Sequence, residues 1–132
     1  MTSLAGFSHV SLSVRDRDRS AEWYAKVFGF SVFETIEEEA YVEAIMIHPT
    51  GMILCLQQHR ANSGEAFDPV RTGGDHIAFR VNSRDELVAW ESVLIEHGVR
   101  FTPVVDRHYG SVLCVRDPDD IQLELFYREN HP

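Results

Sequence analysis

An approximate internal repeat constrains the fold of this chain more than any other feature of its sequence. The segment HVSLSVRDRDRSAEW (residues 9–23) can be laid over HIAFRVNSRDELVAW (residues 76–90), and both segments run from a histidine to a tryptophan. The offset between them is 67 residues at both ends, and glycines at positions 29 and 98 follow at similar distances. Self-similarity at a fixed offset is the signature of a repeated structural unit. We therefore expect two related modules.

The modules are predicted over residues 7–59 and 75–128, within a single domain that spans residues 1–132. The segment between them, residues 60–74, is rich in small, polar, proline and glycine residues and is predicted to be a linker. A chain of 132 residues is long enough to bury one hydrophobic core but not two independent ones.

Each module is predicted to form one strand, one helix and three further strands, which gives an α+β fold. HVSLSV and HIAFRV alternate between polar and apolar residues, as half-buried strands do. The first helix is expected to begin at Asp18 or Ser20 and to end at Gly29. The second is expected to begin at Ser83, with Glu86 completing a capping box. The further strands are predicted at FSVFETI, YVEAIMI and MILCLQQ, then at RFTPVV, SVLCVR and IQLELFY. The proline in RFTPVV excludes that strand from a central position in a sheet.

Composition and charge exclude several classes of partner. Lys and Arg number 12 against 21 Asp and Glu, for a net charge of −9, so the surface would repel the phosphates of nucleic acids. No apolar run approaches the roughly 20 residues of a membrane-spanning helix, and the first residues lack a signal-peptide pattern. We expect a cytoplasmic protein with no nucleic-acid or membrane partner, in which Cys55 and Cys114 are reduced.

Strand parity predicts which chemically active side chains share a surface. In each first strand the apolar residues are expected to lie under a helix, which turns His9 and His76 to the opposite face. Glu124 has the parity that turns it to the same side of its strand, as do Cys55 and Gln57 in theirs. Two histidines and a carboxylate form a ligand set for a divalent ion such as Fe, Mn, Ni or Zn and leave coordination positions open. The sequence therefore predicts a metal site made by His9, His76 and Glu124.

The motifs FSHVSLSV, AEWYAKVFGF, GDHIAFRV and especially VRDPDDIQLELF resemble the vicinal oxygen chelate superfamily. This superfamily includes glyoxalase I, fosfomycin-resistance thiol transferases, extradiol dioxygenases and bleomycin-binding proteins. The likeness extends from about residue 6 to residue 128. It implies paired βαβββ modules that form an open eight-stranded barrel, usually in a homodimer, with the barrel built within or between chains. It also implies that His9, His76 and Glu124 occupy three metal-ligand positions of the family.

The fourth ligand position of the family lies in the last strand of the first module. Matching the motif offers Cys55 for this position, whereas the gapless 67-residue offset offers Gln57. Both have the same parity, so parity cannot choose between them. Neither residue is a carboxylate, so the two opposed glutamates of the glyoxalase proton relay have no visible counterpart.

Further candidates for substrate contact share the predicted face or lie in loops able to close over it. On the face these are Ser11, Cys55, Gln57 and Phe126, and in the loops they are Phe67 and Tyr109.

Two functions fit these features. The first is a metal-dependent enzyme, a lyase, isomerase, transferase or dioxygenase, that chelates adjacent oxygens of a small substrate and stabilises an oxyanion or enediolate, with Glu124 in a catalytic role. The alternative is a metal-free protein that sequesters a bulky aromatic antibiotic between the halves of a dimer, as the bleomycin-binding relatives do. The two histidines and the glutamate favour the enzyme, because a pure binding protein has no chemical need for them.

Overall fold

The chain forms two compact units in the computed structural model, which describes residues 1–132. The units are Met1–Glu65 and Ala66–Pro132, and each contains one helix and one four-stranded mixed sheet. The predicted α+β class and the predicted order of elements, one strand, one helix and three strands in each half, are confirmed. The closure of the two sheets into an open eight-stranded barrel and the formation of a dimer stay predictions.

The first unit contains strand β1, helix α1 and strands β2 to β4. Their bounds are Val10–Ser13 for β1, Arg17–Phe28 for α1, Ser31–Glu37 for β2, Tyr41–Ile47 for β3 and Ile53–His59 for β4. The order across the sheet is β1-β4-β3-β2. β1 pairs with β4 in parallel, and the other pairs are antiparallel. The last strand of the unit therefore lies beside the first.

The second unit repeats this topology with strands β5 to β8 and helix α2. Their bounds are His76–Arg80 for β5, Arg84–Glu96 for α2, Phe101–Arg107 for β6, Gly110–Arg116 for β7 and Gln122–Tyr127 for β8. The order is β5-β8-β7-β6, again with one parallel pair, β5 and β8.

Helix α1 begins earlier than the sequence predicts, by two residues relative to Asp18 and by four relative to Ser20. Its N-cap is Asp16, whose extended backbone (φ −144°, ψ 106°) allows a side-chain oxygen to accept from the Arg19 amide at 3.0 Å. The predicted caps were therefore wrong, because Asp18 lies in the first turn and Ser20 is buried inside the helix. The predicted end is confirmed: Gly29 has φ 79° and its amide caps the helix through the Ala25 carbonyl at 3.1 Å.

Helix α2 begins at the predicted cap. The Ser83 hydroxyl accepts from the Glu86 amide at 3.1 Å, and the Glu86 carboxylate reaches back to the amide of Asn82 at 2.7 Å. The helix ends at His97, just before Gly98, as predicted. With 12 and 13 residues, neither helix has the length and apolar character that a membrane crossing requires.

Each helix covers the apolar face of three strands of its sheet. α1 packs on β2, β3 and β4, and α2 packs on β6, β7 and β8. Tyr24 of α1 and Leu87 and Leu94 of α2 are fully buried. The buried strand residues have the predicted parity and include Ala44, Met46, Leu54 and Leu56 in the first unit and Leu113, Val115, Leu123 and Leu125 in the second. Burial of each leucine or methionine stabilises the fold by roughly 1.5–3 kcal/mol.

The apolar residues of the first strand of each unit were expected to lie under a helix, and in the structure they are only partly covered. β1 and β5 lie at sheet edges, outside the main packing surface of the helices. Val10 is 38% exposed, and Leu12, Ile77 and Phe79 are only half-buried. One helix is about 10 Å wide and strands are spaced at about 4.8 Å, so a single helix cannot cover all four strands.

Pro103 explains why β6 is an edge strand. The register of β6 against β7 shifts between Thr102 and Val105, around the proline that cannot donate to the ladder. The amide of Val104 donates instead to the Glu91 carboxylate of α2 at 2.9 Å. The helix thus satisfies a backbone donor that the irregular strand leaves unpaired.

Exchange of Asp16 for Ala should lower the free energy of unfolding by about 1 kcal/mol, because the Arg19 amide loses its acceptor. Exchange of Asp18 for Ala should cost less, about 0.3–0.5 kcal/mol, since this exposed side chain caps no backbone amide and interacts only with the positive end of the helix dipole and with Arg17 at 3.0 Å. Urea unfolding of both variants measures the difference. A larger loss for the Asp18 variant would contradict the assignment of the cap.

Candidate metal and substrate site

Strand register places the polar residues of the first unit on one face of its sheet. Ser11 lies opposite Cys55, and Ser13 lies opposite Gln57. On the other side of β4, Gln57 lies opposite Glu43. These side chains share the face of the sheet that does not carry α1. The parity predicted for Ser11, Cys55 and Gln57 is therefore confirmed.

The register also decides which residue of β4 corresponds to Glu124. Ser11, two residues after His9, pairs with Cys55, and Ala78, two residues after His76, pairs with Glu124. Cys55 is thus the structural counterpart of Glu124, and the gapless offset that indicated Gln57 was wrong at this point. The second unit is longer between these strands, since α2 has 13 residues against 12 in α1 and the connection after it is longer.

In the second unit, His76 and Glu124 come together. The His76 Nε2 atom lies 3.5 Å from the Glu124 Oε2 atom, and the side chains are 39% and 18% exposed. The Nδ1 atom of His76 lies 2.7 Å from the carboxylate of Asp75. Because a carboxylate only accepts, Nδ1 donates in this contact. In the tautomer that carries its only ring proton on Nδ1, the lone pair of Nε2 is available to a metal ion.

The other oxygen of Glu124 is held by two neighbours. The Gln122 amide donates to Oε1 at 3.1 Å, and the thiol of Cys114 lies 3.9 Å from the same atom. Burial and the charge of Glu124 raise the pKa of Cys114, so it remains a neutral thiol. These contacts orient Glu124 with Oε2 toward His76. Gln122 was not singled out from the sequence, although its parity, two residues before Glu124, places it on the same face.

His9 resembles His76 in that the side chain of the preceding residue contacts its Nδ1 atom, but this neighbour is a hydroxyl rather than a carboxylate. It precedes β1 directly, is exposed, and its Nδ1 atom lies 3.0 Å from the hydroxyl of Ser8. His9 belongs to the first unit, whereas His76 and Glu124 belong to the second. Within neither unit do three His, Cys, Asp or Glu side chains form a group that could hold a metal ion. The convergence of all three predicted ligands stays a prediction.

A carboxylate that the sequence did not assign lies beside Cys55. The Cys55 thiol is 5% exposed and donates a hydrogen bond to Glu43 of β3. Burial, the charge of Glu43 and this hydrogen bond raise the pKa of Cys55 to about 11, so Cys55 is a neutral thiol at neutral pH. The alternation of Tyr41, Glu43 and Ile45 along β3 is the signal that could have identified Glu43 as a residue of this face.

Two of the predicted aromatic residues pack against each other in the second unit. The rings of Tyr109 and Phe126 are nearly parallel, with centroids 6.3 Å apart and 16° between the planes. Gly110 makes this possible, because a Cβ there would lie 2.5 Å from the Tyr127 carbonyl oxygen and 2.7 Å from the Phe126 ring. Since Phe126 shares the face of Glu124, the stacked pair flanks the His76–Glu124 pair.

Of the remaining predicted contact residues, Ser11 and Gln57 belong to the first unit and Phe67 belongs to the second. The Gln57 amide lies 3.3 Å from the Nε2 atom of His59, and Ser11 is exposed. Phe67 is half-buried, and its backbone amide donates to the Asp119 carbonyl at 2.9 Å. A role for these residues in substrate binding stays a prediction.

Comparison with known families agrees with this architecture. A family model described as the glyoxalase/bleomycin resistance protein/dioxygenase superfamily matches residues 6–125. The chain belongs to this superfamily. The resemblance inferred from the motifs is therefore confirmed.

Curated members of the superfamily with related sequences include two enzymes. A catechol-2,3-dioxygenase of Bacillus subtilis is 29% identical over 131 residues, which are 96% of this chain and 44% of that protein. A lactoylglutathione lyase of Arabidopsis thaliana is 32% identical over 130 residues, 96% of this chain and 45% of that protein. The chain spans less than half the length of these two relatives.

Solved structures of the superfamily have the same fold. A glyoxylase/bleomycin resistance protein/dioxygenase domain from Frankia sp. EAN1pec matches with a TM-score of 0.90 and 35% identity over 96% of this chain and 100% of that one. The fosfomycin resistance protein FosX from Listeria monocytogenes, in complex with Mn(II) and sulfate, matches with a TM-score of 0.71 over 97% and 96%. At 18% identity, the likeness to FosX shows the fold alone.

Exchange of Glu43 for Gln should lower the pKa of Cys55, because the negative charge is removed and the hydrogen bond is weakened. Burial remains, so the pKa should stay between 9.0 and about 11. In a Cys114→Ser background, iodoacetamide alkylation at pH 9, followed by mass spectrometry, should accelerate by up to about tenfold for the first unit by which the pKa falls and by less for a second unit.

The matched control is Glu37→Gln, an exposed residue of β2 that pairs with Val42 rather than with the site. It should leave the alkylation rate unchanged. An unchanged rate in the Glu43 variant would show that this carboxylate does not act on Cys55.

Proposed function

We propose that the chain is a metal-dependent enzyme of the vicinal oxygen chelate type, in which His9, His76 and Glu124 hold a divalent ion such as Fe, Mn, Ni or Zn. The observation that carries the proposal is the His76–Glu124 pair, with Nε2 and Oε2 3.5 Å apart on a half-exposed face. Its substrate is a small molecule with two adjacent oxygens.

The chemistry of the donor atoms fits such an ion. Imidazole nitrogen and carboxylate oxygen are the ligands used by catalytic Fe, Mn and Zn sites. A metal-bound histidine usually donates its other ring nitrogen to a carboxylate or another acceptor, and the contact of His76 with Asp75 at 2.7 Å has this form. His9 offers the matching arrangement, with Ser8 at its Nδ1 atom and Nε2 left for a ligand.

The related enzymes support the same class of chemistry. The names of the curated relatives describe a catechol dioxygenase and a lactoylglutathione lyase, and the FosX structure contains Mn(II). Both curated relatives are more than twice as long as the matched region, so their substrates are not transferred to this chain. What they share with it is the superfamily.

The residues around His76 and Glu124 have different roles in the proposed site. Asp75 keeps the His76 proton on Nδ1, and Gln122 holds Oε1 of Glu124. Tyr109 and Phe126 provide an apolar wall that limits the access of water beside Glu124. A bound ion would supply Lewis-acid stabilisation of an oxyanion or enediolate. Glu124 is the residue we expect to touch the reacting atoms.

The first unit contributes a different environment. Its counterpart of Glu124 is Cys55, a buried neutral thiol, so β4 supplies no second carboxylate at that position. A proton relay between two opposed glutamates at these two positions is therefore not part of the proposal. The proposed site has three protein ligands, His9, His76 and Glu124, of which Glu124 is the only carboxylate.

The stacked pair of Tyr109 and Phe126 is the observation that favours the second candidate, a metal-free protein that binds a bulky aromatic drug. Stacking against planar aromatic compounds needs no metal. Metal content decides between the two functions.

Purified protein, loaded with Mn, Fe, Ni or Zn and then dialysed, should retain about one ion per chain as measured by elemental analysis. The His76→Ala and Glu124→Gln variants should lose it. Asp75→Asn should weaken affinity by about 10–100-fold, because the orienting carboxylate is removed. His97→Ala, at the end of α2, is the control and should bind metal normally. Equal metal retention by the His76 variant would reject the proposed metal site. A wild-type chain that retains no metal and binds an aromatic antibiotic tightly would reject the enzyme.

A further inference from the structure

A second feature of the Ala66–Pro132 unit lies beside the proposed metal ligands. A cavity of about 310 Å³ opens where the connection after α2, the start of strand β6, strand β7 and the turn before β8 meet. Its lining residues are Arg100, Phe101, Thr102, Cys114, Arg116 and Asp120. None of these except Cys114 contacts the His76–Glu124 pair in the arrangement described above.

The cavity adjoins Glu124 on the same face of the sheet. Cys114, in the cavity wall, pairs with Glu124 across β7 and β8, and its thiol lies 3.9 Å from Oε1. Two residues after Cys114 on β7, Arg116 lies opposite Gln122 of β8, and Gln122 lies opposite His76 of β5. Arg116 and His76 are therefore two strand spacings apart, roughly 10 Å. A molecule held at His76 and Glu124 could extend into the cavity.

Among the residues that line the cavity, positive charges exceed negative charges by one, and Glu124 lies beside Cys114 outside the lining. Arg116 is half-buried, and its guanidinium donates through Nη1 to the backbone carbonyl of Asp120 at 3.2 Å without pairing with a carboxylate. Arg100 is paired with the Asp120 carboxylate at 2.5 Å. Two guanidinium groups thus face one carboxylate. This is a local exception in a chain with a net charge of −9.

A partly buried cation without a counter-ion is unfavourable, because the lost hydration is not replaced. Arginine presents a planar fork of donors that matches a carboxylate or a phosphate. Most of the donors of Arg116 are not used within the protein, and the Thr102 hydroxyl in the cavity wall provides a further donor.

We propose that this cavity is an anion subsite, in which Arg116 and Arg100 bind a carboxylate or phosphate group. As a statement about substrate it rests on the proposed function: the substrate carries this anionic group within roughly 10 Å of the oxygen pair held at His76 and Glu124. The binding of the anion itself requires no metal.

The test uses the full-length chain stripped of metal with a chelator. Inorganic phosphate and, separately, succinate are titrated at constant ionic strength while amide resonances are followed by NMR. The amides of the six lining residues should shift saturably with at least one of the two anions. Tighter binding of phosphate would assign a phosphorylated or phosphonate substrate, and tighter binding of succinate would assign a carboxylate.

Arg116→Gln should weaken the binding of that anion at least tenfold, and Arg116→Lys should retain part of it because the charge is kept. Arg19→Gln, on α1 in the other unit, is the control and should have no effect. If the Arg116 variant does not fold, Arg100→Gln decides, since that side chain is 75% exposed and its exchange should be tolerated.

The absence of saturable shifts with both anions, or an Arg116→Gln variant that binds as the wild type does, would overturn the proposal. Metal retention by the wild-type chain separates it from the proposed function. A wild-type chain that retains no metal but binds phosphate or succinate in this cavity keeps the anion subsite and rejects the metalloenzyme. A wild-type chain that retains metal but binds neither anion keeps the metal site and rejects the subsite. The His76→Ala variant should lose the metal and still bind the anion.

Discussion

The parallel pairing of the first and last strands of each unit is the constraint on which the site depends. Parallel strands cannot be joined by a short turn, so the helix and two further strands lie between them. The pairing then places residues more than 40 positions apart in the sequence opposite each other, as with Ala78 and Glu124. A slip of one residue would turn Glu124 into the helix-covered face and remove it from His76.

The two units use this shared frame for different chemistry. In the second unit the face carries a histidine, a carboxylate and, beside them, two arginines that line a cavity. In the first unit the position equivalent to Glu124 holds a buried neutral thiol, which donates to Glu43. The repeat therefore preserves the backbone arrangement, while the two units carry different side chains at equivalent positions.

Much of the fold could be predicted from local signals. The alternation of HVSLSV and HIAFRV, the glycine after α1 and the capping box at Ser83 each depend on a few neighbouring residues. The cap of α1 was mispredicted because Asp16 and Asp18 are both good caps, and only the extended backbone at Asp16 distinguishes them. The edge position of β6 followed from Pro103 alone.

The sequence by itself determined the two-module topology, the parity of each strand and the identity of His9, His76 and Glu124 as the candidate ligands. Only the tertiary structure decided that Cys55, and not Gln57, is the counterpart of Glu124, that Glu43 contacts it, and that Gln122 and Asp75 orient the pair. Parity is a local property of one strand, which a sequence encodes directly. Register between strands depends on the lengths of the helix and connections that separate them. Because these lengths differ between the two units, the 67-residue offset does not hold for the last strands.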